Sequence, residues 1–295
     1  MISSREQFVT TMTSILDDDE RVAVVIADIS GDRLAPAAIR HPDRVINVGI
    51  REQAMIGVAA GMSLAGLRPV VHSYATFLVE RPFEQIKLDL GHQDLGAVLV
   101  SIAGSYDASG EGRTHQSPGD VALLDTVPGF TVHVPGHSTE VDRLLRQAVK
   151  GDDRVYIRLS EQSNRVARIS DEMSVVRRGA LGTVIAVGPL LDTVIEATED
   201  IDVTVLYASR IRPFDSATLL ATLGRSDVVI VEPLLAGTSL LPVSRALAHV
   251  PHRVLALGVR DPELHRYGSP SEHATAHGLD ACGIRSDVEG FLAAA

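Results

Sequence analysis

At 295 residues the chain is long enough for two domains, and its 45% hydrophobic content can build two cores without cross-links. A net charge of −11 with no basic run argues against nucleic acid, while 4% aromatic content without tryptophan argues against base-stacking platforms. A single cysteine, Cys282, excludes an internal disulfide and a cysteine-based metal site. No apolar run reaches membrane-spanning length and no secretory leader is visible, so the expected setting is the cytoplasm, away from any membrane.

In chain order, apolar residues at helical spacing over 1–16 lead into a strand at 22–26. Further strand signals fall at 45–48, 69–72, 97–102 and 131–134, separated by helical patterns over 52–65, 83–90 and 138–149. Continuously apolar strands alternating with helices predict a parallel sheet covered on both faces. Residues 160–174 are polar and aperiodic and read as a linker. A second set follows, with strands at 182–187, 203–208, 228–232 and 254–257 and helices at 191–199, 216–223, 240–248 and 286–292. The predicted fold class is α/β, with two three-layer α/β/α domains over 1–165 and 175–295.

Four segments carry candidate chemistry. Asp28 ends the first strand, where ligands bind in open parallel sheets; an Asx turn is the plainer explanation. Glu52 opens a helix built almost entirely from small residues, with Ala54, Gly57, Gly61 and Ala65 near one face. Such a face lets another backbone approach closely, and a carboxylate at its mouth is expected to be partly buried. Burial favours the protonated form of a carboxyl group, which can then share a proton near neutrality; helix capping alone would also place an acid there. Tyr74, Phe77 and Phe83 lie around a strand end and can stack on a flat heterocycle or simply fill the core. Finally, a polar, glycine-rich loop over 106–117 contains Glu111, Arg113, His115 and Gln116.

Together these segments resemble the transketolases and 1-deoxyxylulose-5-phosphate synthases, which are thiamine diphosphate enzymes. Asn47-Val48-Gly49-Ile50-Arg51-Glu52-Gln53 is similar to the motif whose glutamate bonds N1′ of the aminopyrimidine. The resemblance implies that Glu52 activates the cofactor and that Ile50, Phe77, Phe83 and Asp28 lie near it. Thr114-His115-Gln116 matches the Asp-Gly-Pro-Thr-His-Gln loop, in which the histidine faces the substrate; Glu111 replaces the aspartate and Arg113 the proline. That makes His115 a catalytic candidate, with Tyr74, Glu111, Arg113, Gln116 and Arg158 toward the substrate. The family also usually has an aromatic where Glu80 stands.

The resemblance departs at the phosphate ligands. Where transketolases carry Leu-Ser-Arg-Gln, this chain reads Leu159-Ser160-Glu161-Gln162, and a substrate-side histidine or arginine is replaced by Ala103-Gly104. A glutamate repels phosphate where an arginine would clamp it, leaving two alternatives: compensation by Arg113 and Arg158, or a substrate without phosphate.

No Gly-Asp-Gly followed by a downstream Asn is present, so no metal ligand is assigned to this chain. Thiamine diphosphate and Mg²⁺ would depend on a partner, an N-terminal-type subunit carrying the diphosphate and metal site, in an α2β2 heterotetramer. The second half, with Arg210-Ile211-Arg212-Pro213 and Tyr267-Gly268-Ser269-Pro270, is similar to the family's C-terminal domain. The expectation is a split transketolase-like transferase (EC 2.2.1.-). It would move a two-carbon ketol or acyl unit from a ketose or 2-oxoacid to an aldehyde through a thiamine diphosphate carbanion. The alternatives are a 2-oxoacid dehydrogenase beta-like subunit and a non-catalytic regulatory subunit that keeps the fold.

Overall fold

A computed structural model of the protein describes residues 2–294. Met1, at the start of the first predicted helix and domain, and Ala295, at the end of the second domain, lie outside the described residues. Helix α1 (Ser4–Asp18) starts later than its apolar spacing suggests because Ser3 caps it. The Ser3 hydroxyl accepts from the Glu6 amide at 3.1 Å, and the Glu6 carboxylate accepts from the Ser3 amide at 2.9 Å.

The chain then runs β1 (Val22–Ile26), α2 (Gly31–Arg40), β2 (Val45–Asn47), α3 (Glu52–Leu64) and β3 (Arg68–Tyr74). Helix α2 went unpredicted: Pro36 lies inside it and only Leu34 and Ala37 are buried. After β3 come wide π-type turns at Thr76–Glu80, a short α4 (Phe83–Gln85), and further π-type turns to His92. Next are β4 (Val98–Ile102), α5 (Asp120–Leu124), β5 (Phe130–His133), α6 (Ser138–Ala148) and β6 (Arg154–Arg158).

Residues 159–173 form neither helix nor strand. The second half contains β7 (Ser174–Arg177), β8 (Thr183–Val187), α7 (Leu191–Ala197), β9 (Thr204–Ala208), β10 (Arg210–Arg212) and α8 (Ser216–Thr222). It ends with β11 (Asp227–Leu235), α9 (Leu240–Ala246), β12 (Arg253–Val259), α10 (Pro270–His277) and α11 (Ala281–Ala293).

Two parallel-rich sheets result, as the apolar runs predict. The first has the order β10-β5-β6-β4-β3-β1-β2 and the second β12-β11-β8-β9-β7. Among the strands of the described residues, only the β10–β5 and β7–β9 pairs are antiparallel. All five residues of β1 and of β4 are buried, as expected for strands covered by helices on both faces.

The halves are joined through their cores. One apolar cluster runs from Met55, Ile56 and Leu99 in the first half to Ile185, Ile230 and Leu234 in the second. Strand β10, although beyond the linker, pairs with β5 of the first sheet. The Arg212 guanidinium beside it donates two bonds to Asp125, at 2.8 and 2.7 Å.

Glu232 on β11 is fully buried near this junction. One carboxylate oxygen accepts from the Ser239 amide at 3.1 Å, while the other has no partner among the described residues. Burial pushes Glu232 up to about 7 from its ordinary 4.5. The folded state therefore holds a proton that the unfolded chain has lost between these two values. Stability falls as pH rises from 4.5 to about 7, by a total on the order of 3 kcal/mol. Glu232→Gln keeps the acceptor for Ser239 without the charge. Its melting temperature is expected to exceed that of the parent by several degrees (roughly 2–4 °C per kcal/mol) at pH 8, but not at pH values below 4.5. Equal shifts at both pH values would contradict this account.

Candidate functional site

The turn after β2 brings Glu52 to the first turn of α3. Gly49 there has a φ of +70°, a left-handed conformation suited to glycine, and its amide donates to the Asn47 side chain at 3.0 Å. Glu52 is only 2% exposed, although its helix turns an open face outward. Ala54, Gly57, Val58, Gly61, Leu64 and Ala65 are all exposed, as is Leu88.

The Glu52 carboxylate is paired with Arg81, whose Nη1 lies 2.8 Å from Oε1. The same guanidinium sits over the Phe77 ring, 3.9 Å from its centroid. One planar N–H donor therefore covers the aromatic face while bonding the buried carboxylate. A flat heterocycle with ring nitrogens and an exocyclic amine needs the same two features, so this pair fits the aminopyrimidine implied by the sequence. Arg81 is the residue such a ring would displace. Sequence reasoning missed Arg81; its signal was the i,i+4 spacing from Phe77.

His115 closes the cluster. Its ring meets Phe77 edge-on at 5.0 Å and Tyr74 at 5.5 Å. Its Nε2 lies 2.9 Å from a Glu111 oxygen, and Nδ1 lies 3.0 Å from the Thr114 hydroxyl. Glu111 and Thr114 thus hold both ring nitrogens and fix the orientation of the imidazole. Glu80 ties the wall to this loop, accepting from the Ser117 hydroxyl at 2.8 Å and from Thr76 at 3.3 Å. The loop is also fastened to the second half: Arg113 donates to Glu263 at 2.9 Å, and the Ser109 hydroxyl donates to the Gly268 carbonyl at 2.9 Å.

The structure thus brings together Glu52, Phe77, His115, Tyr74 and Glu111. Other candidates fall elsewhere. Arg158, expected to face the substrate, is 1% exposed. Its Nε donates to Asp120 at 2.7 Å, and Nη2 donates to the Ser105 hydroxyl at 2.9 Å and the Ser117 carbonyl at 3.1 Å. This corrects the expectation: Arg158 supports the His115 loop from beneath. It also explains Gly104, because a Cβ there would lie 2.6 Å from the Arg158 guanidinium carbon.

Arg113 is engaged by Glu263 and the Gln116 carbonyl. Gln116 is buried, with its amide nitrogen unpartnered among the described residues. Phe83 packs against the core and makes no ring contact with Phe77 among the described residues. Ile50 is 71% exposed. Asp28, at φ +72°, lines a separate open cavity with Gly31, Asp32 and Asn47.

Comparisons with known proteins bear on the family and the fold. Residues 1–166 match the family described as "Transketolase, pyrimidine binding domain". An uncharacterized 33.6 kDa protein in the fasciation locus of Rhodococcoides fascians is 50% identical over 97% of this chain and 93% of its own length. A 1-deoxy-D-xylulose-5-phosphate synthase of Albidiferax ferrireducens is 31% identical over 94% of this chain, which spans only 45% of that enzyme. A split gene transketolase, solved as an inactive beta4 tetramer, superposes with a TM-score of 0.84. The match covers 99% of this chain and 98% of that one; at 24% identity the likeness is one of fold. Among the described residues no helix is long and apolar enough to cross a membrane.

Proposed function

The chain belongs to the transketolase family, and on that premise we propose that it is the pyrimidine-side subunit of a two-component ketol- or acyl-transferring enzyme. The carrying observation is the triad of Glu52, the Phe77 ring face and His115 within one cluster. Thiamine diphosphate, when bound, supplies a carbon nucleophile and an electron sink for cleaving a bond next to a carbonyl. Glu52 would share a proton with a ring nitrogen of the pyrimidine, and Phe77 would cover its face. His115, steadied by Glu111, would hold or move a proton at the substrate oxygen.

Among the described residues no group of three or more His, Cys, Asp or Glu side chains is placed to hold a metal ion. The exposed small-residue face of α3 supports docking of a partner subunit that brings Mg²⁺ and the diphosphate ligands, in the expected α2β2 assembly.

The complex purified through a tag on this chain, supplied with thiamine diphosphate and Mg²⁺, is expected to pass a two-carbon unit from a ketose or 2-oxoacid to an aldehyde. His115→Ala should lower kcat by about 10²- to 10⁴-fold. Turnover only of a 2-oxoacid with a lipoyl acceptor would assign the dehydrogenase alternative. No thiamine-dependent turnover at all would leave the regulatory one.

A further inference from the structure

Tyr74 belongs to two places at once. Its ring touches His115, and it also lines a neighbouring cavity of about 390 Å³. The cavity lies at the carboxyl ends of the first sheet's strands, where Arg5, Arg33, Glu6, Glu161 and Ala103 meet.

Arg5 is fixed there by a buried relay. Its Nε donates to the Ser30 hydroxyl at 3.0 Å; that hydroxyl lies 2.9 Å from His72 Nε2, and His72 Nδ1 lies 2.8 Å from the Val100 carbonyl. A carbonyl can only accept, so Nδ1 carries the proton and Ser30 donates to the bare Nε2. The Ser30 oxygen is then left to accept from Arg5. Burial drives His72 down to about 3, so this polarity persists at any physiological pH. No acceptor among the described residues takes the two terminal amino groups of Arg5.

The remaining charges cancel. Arg33 lies 3.9 Å from Glu6. Glu161 is exposed and has no ion-pair partner among the described residues, leaving its carboxylate to oppose Arg5 in charge. With two guanidinium groups and two carboxylates, the cavity is neutral overall. A phosphate monoester brings about −1.5 to −2 charges and could meet Arg5 only beside an unpaired glutamate. Hydroxyl groups suit the same pair, since each can donate to a carboxylate and accept from a guanidinium.

We propose that this cavity receives the tail of the substrate and that the tail is an unphosphorylated polyol, with Glu161 as the residue that excludes phosphate. The proposal rests on the ketol-transfer reading above and names its substrate class. Glu161 projects from an exposed loop position, so its replacement leaves the cores untouched.

Two experiments test this. In calorimetric titrations of the full chain alone with inorganic phosphate, the parent is expected to show no saturable binding. Glu161→Arg should gain it, by about tenfold or more in affinity, and Arg5→Ala added to Glu161→Arg should remove the gain. Saturable binding to the parent, lost in Arg5→Ala, would overturn the proposal, as would no gain in Glu161→Arg.

In the tagged complex, kcat/KM for D-fructose is expected to exceed that for D-fructose 6-phosphate, with the ratio falling by about tenfold or more in Glu161→Arg. Preference for the phosphorylated sugar by the parent complex would overturn the proposal while leaving the transfer chemistry standing. A complex inert toward every donor would fail the ketol-transfer reading instead, and the phosphate titration would still decide the charge preference of the cavity.

Discussion

Replacing Glu52 with alanine is expected to abolish turnover of the assembled enzyme while leaving the chain folded. The carboxylate is almost wholly enclosed, and its one ion-pair partner among the described residues is Arg81. With the acid gone, Arg81 is exposed enough to turn to water, so the loss to the fold is small. The loss to activity is large, because Glu52 is the carboxylate that Arg81 joins to the Phe77 face. A reduction in kcat of about 10²- to 10⁴-fold is expected, typical for removing a group that handles a proton. Steady-state assays of the tagged complex measure it, with thermal melting as the control. Parent-like rates from Glu52→Ala would remove the basis for the proposed chemistry.

The largest stability effect is expected at Asp120. Its carboxylate accepts from Arg158 Nε at 2.7 Å and from the Tyr156 hydroxyl at 2.6 Å, and Tyr156 also lies 2.8 Å from the Ser101 hydroxyl. All four side chains are buried. Two opposed charges in such a setting are costly to desolvate, and their attraction offsets that cost only while both are present. Asp120→Ala strands the guanidinium and should destabilise the protein by about 3–5 kcal/mol. Chemical denaturation would measure this directly. A cost under about 1 kcal/mol would mean that water or another acid takes over the partnership. Since Arg158 also holds Ser105 and the Ser117 carbonyl, residual folded protein should show a loosened His115 loop.

Much of the fold was legible because burial on two faces writes itself as apolar runs. Val22–Ile26 and Val98–Ile102 have no polar residue apart from Ser101, and both are central strands. What escaped had a weaker local signal. Arg210–Arg212 is a strand of three residues whose flanking arginines look solvent-facing, and only distant pairing with β5 makes it one. Helix α10 is short and polar, and its capping box at Ser269 and Glu272 was there to be found.

In the proposed site, Glu52, Phe77 and His115, which the structure brings together, each lie in a motif that is compact in sequence. Arg158 was misassigned because Asp120 lies 38 positions away, and nothing local marks an arginine as already neutralised. Arg81 escaped for a related reason: its relation to Glu52 spans 29 positions and emerges only when α3 and the turns after β3 meet.

The short strand at Arg210–Arg212 has a consequence for how the protein can be divided. It caps the rim of the first sheet, so a fragment ending at the connector would bare the backbone of Phe130–His133 along a raw border. Such a border invites pairing with any available peptide. A fragment ending at the connector is therefore expected to associate through that border, and the second half of the chain doubles as its cover.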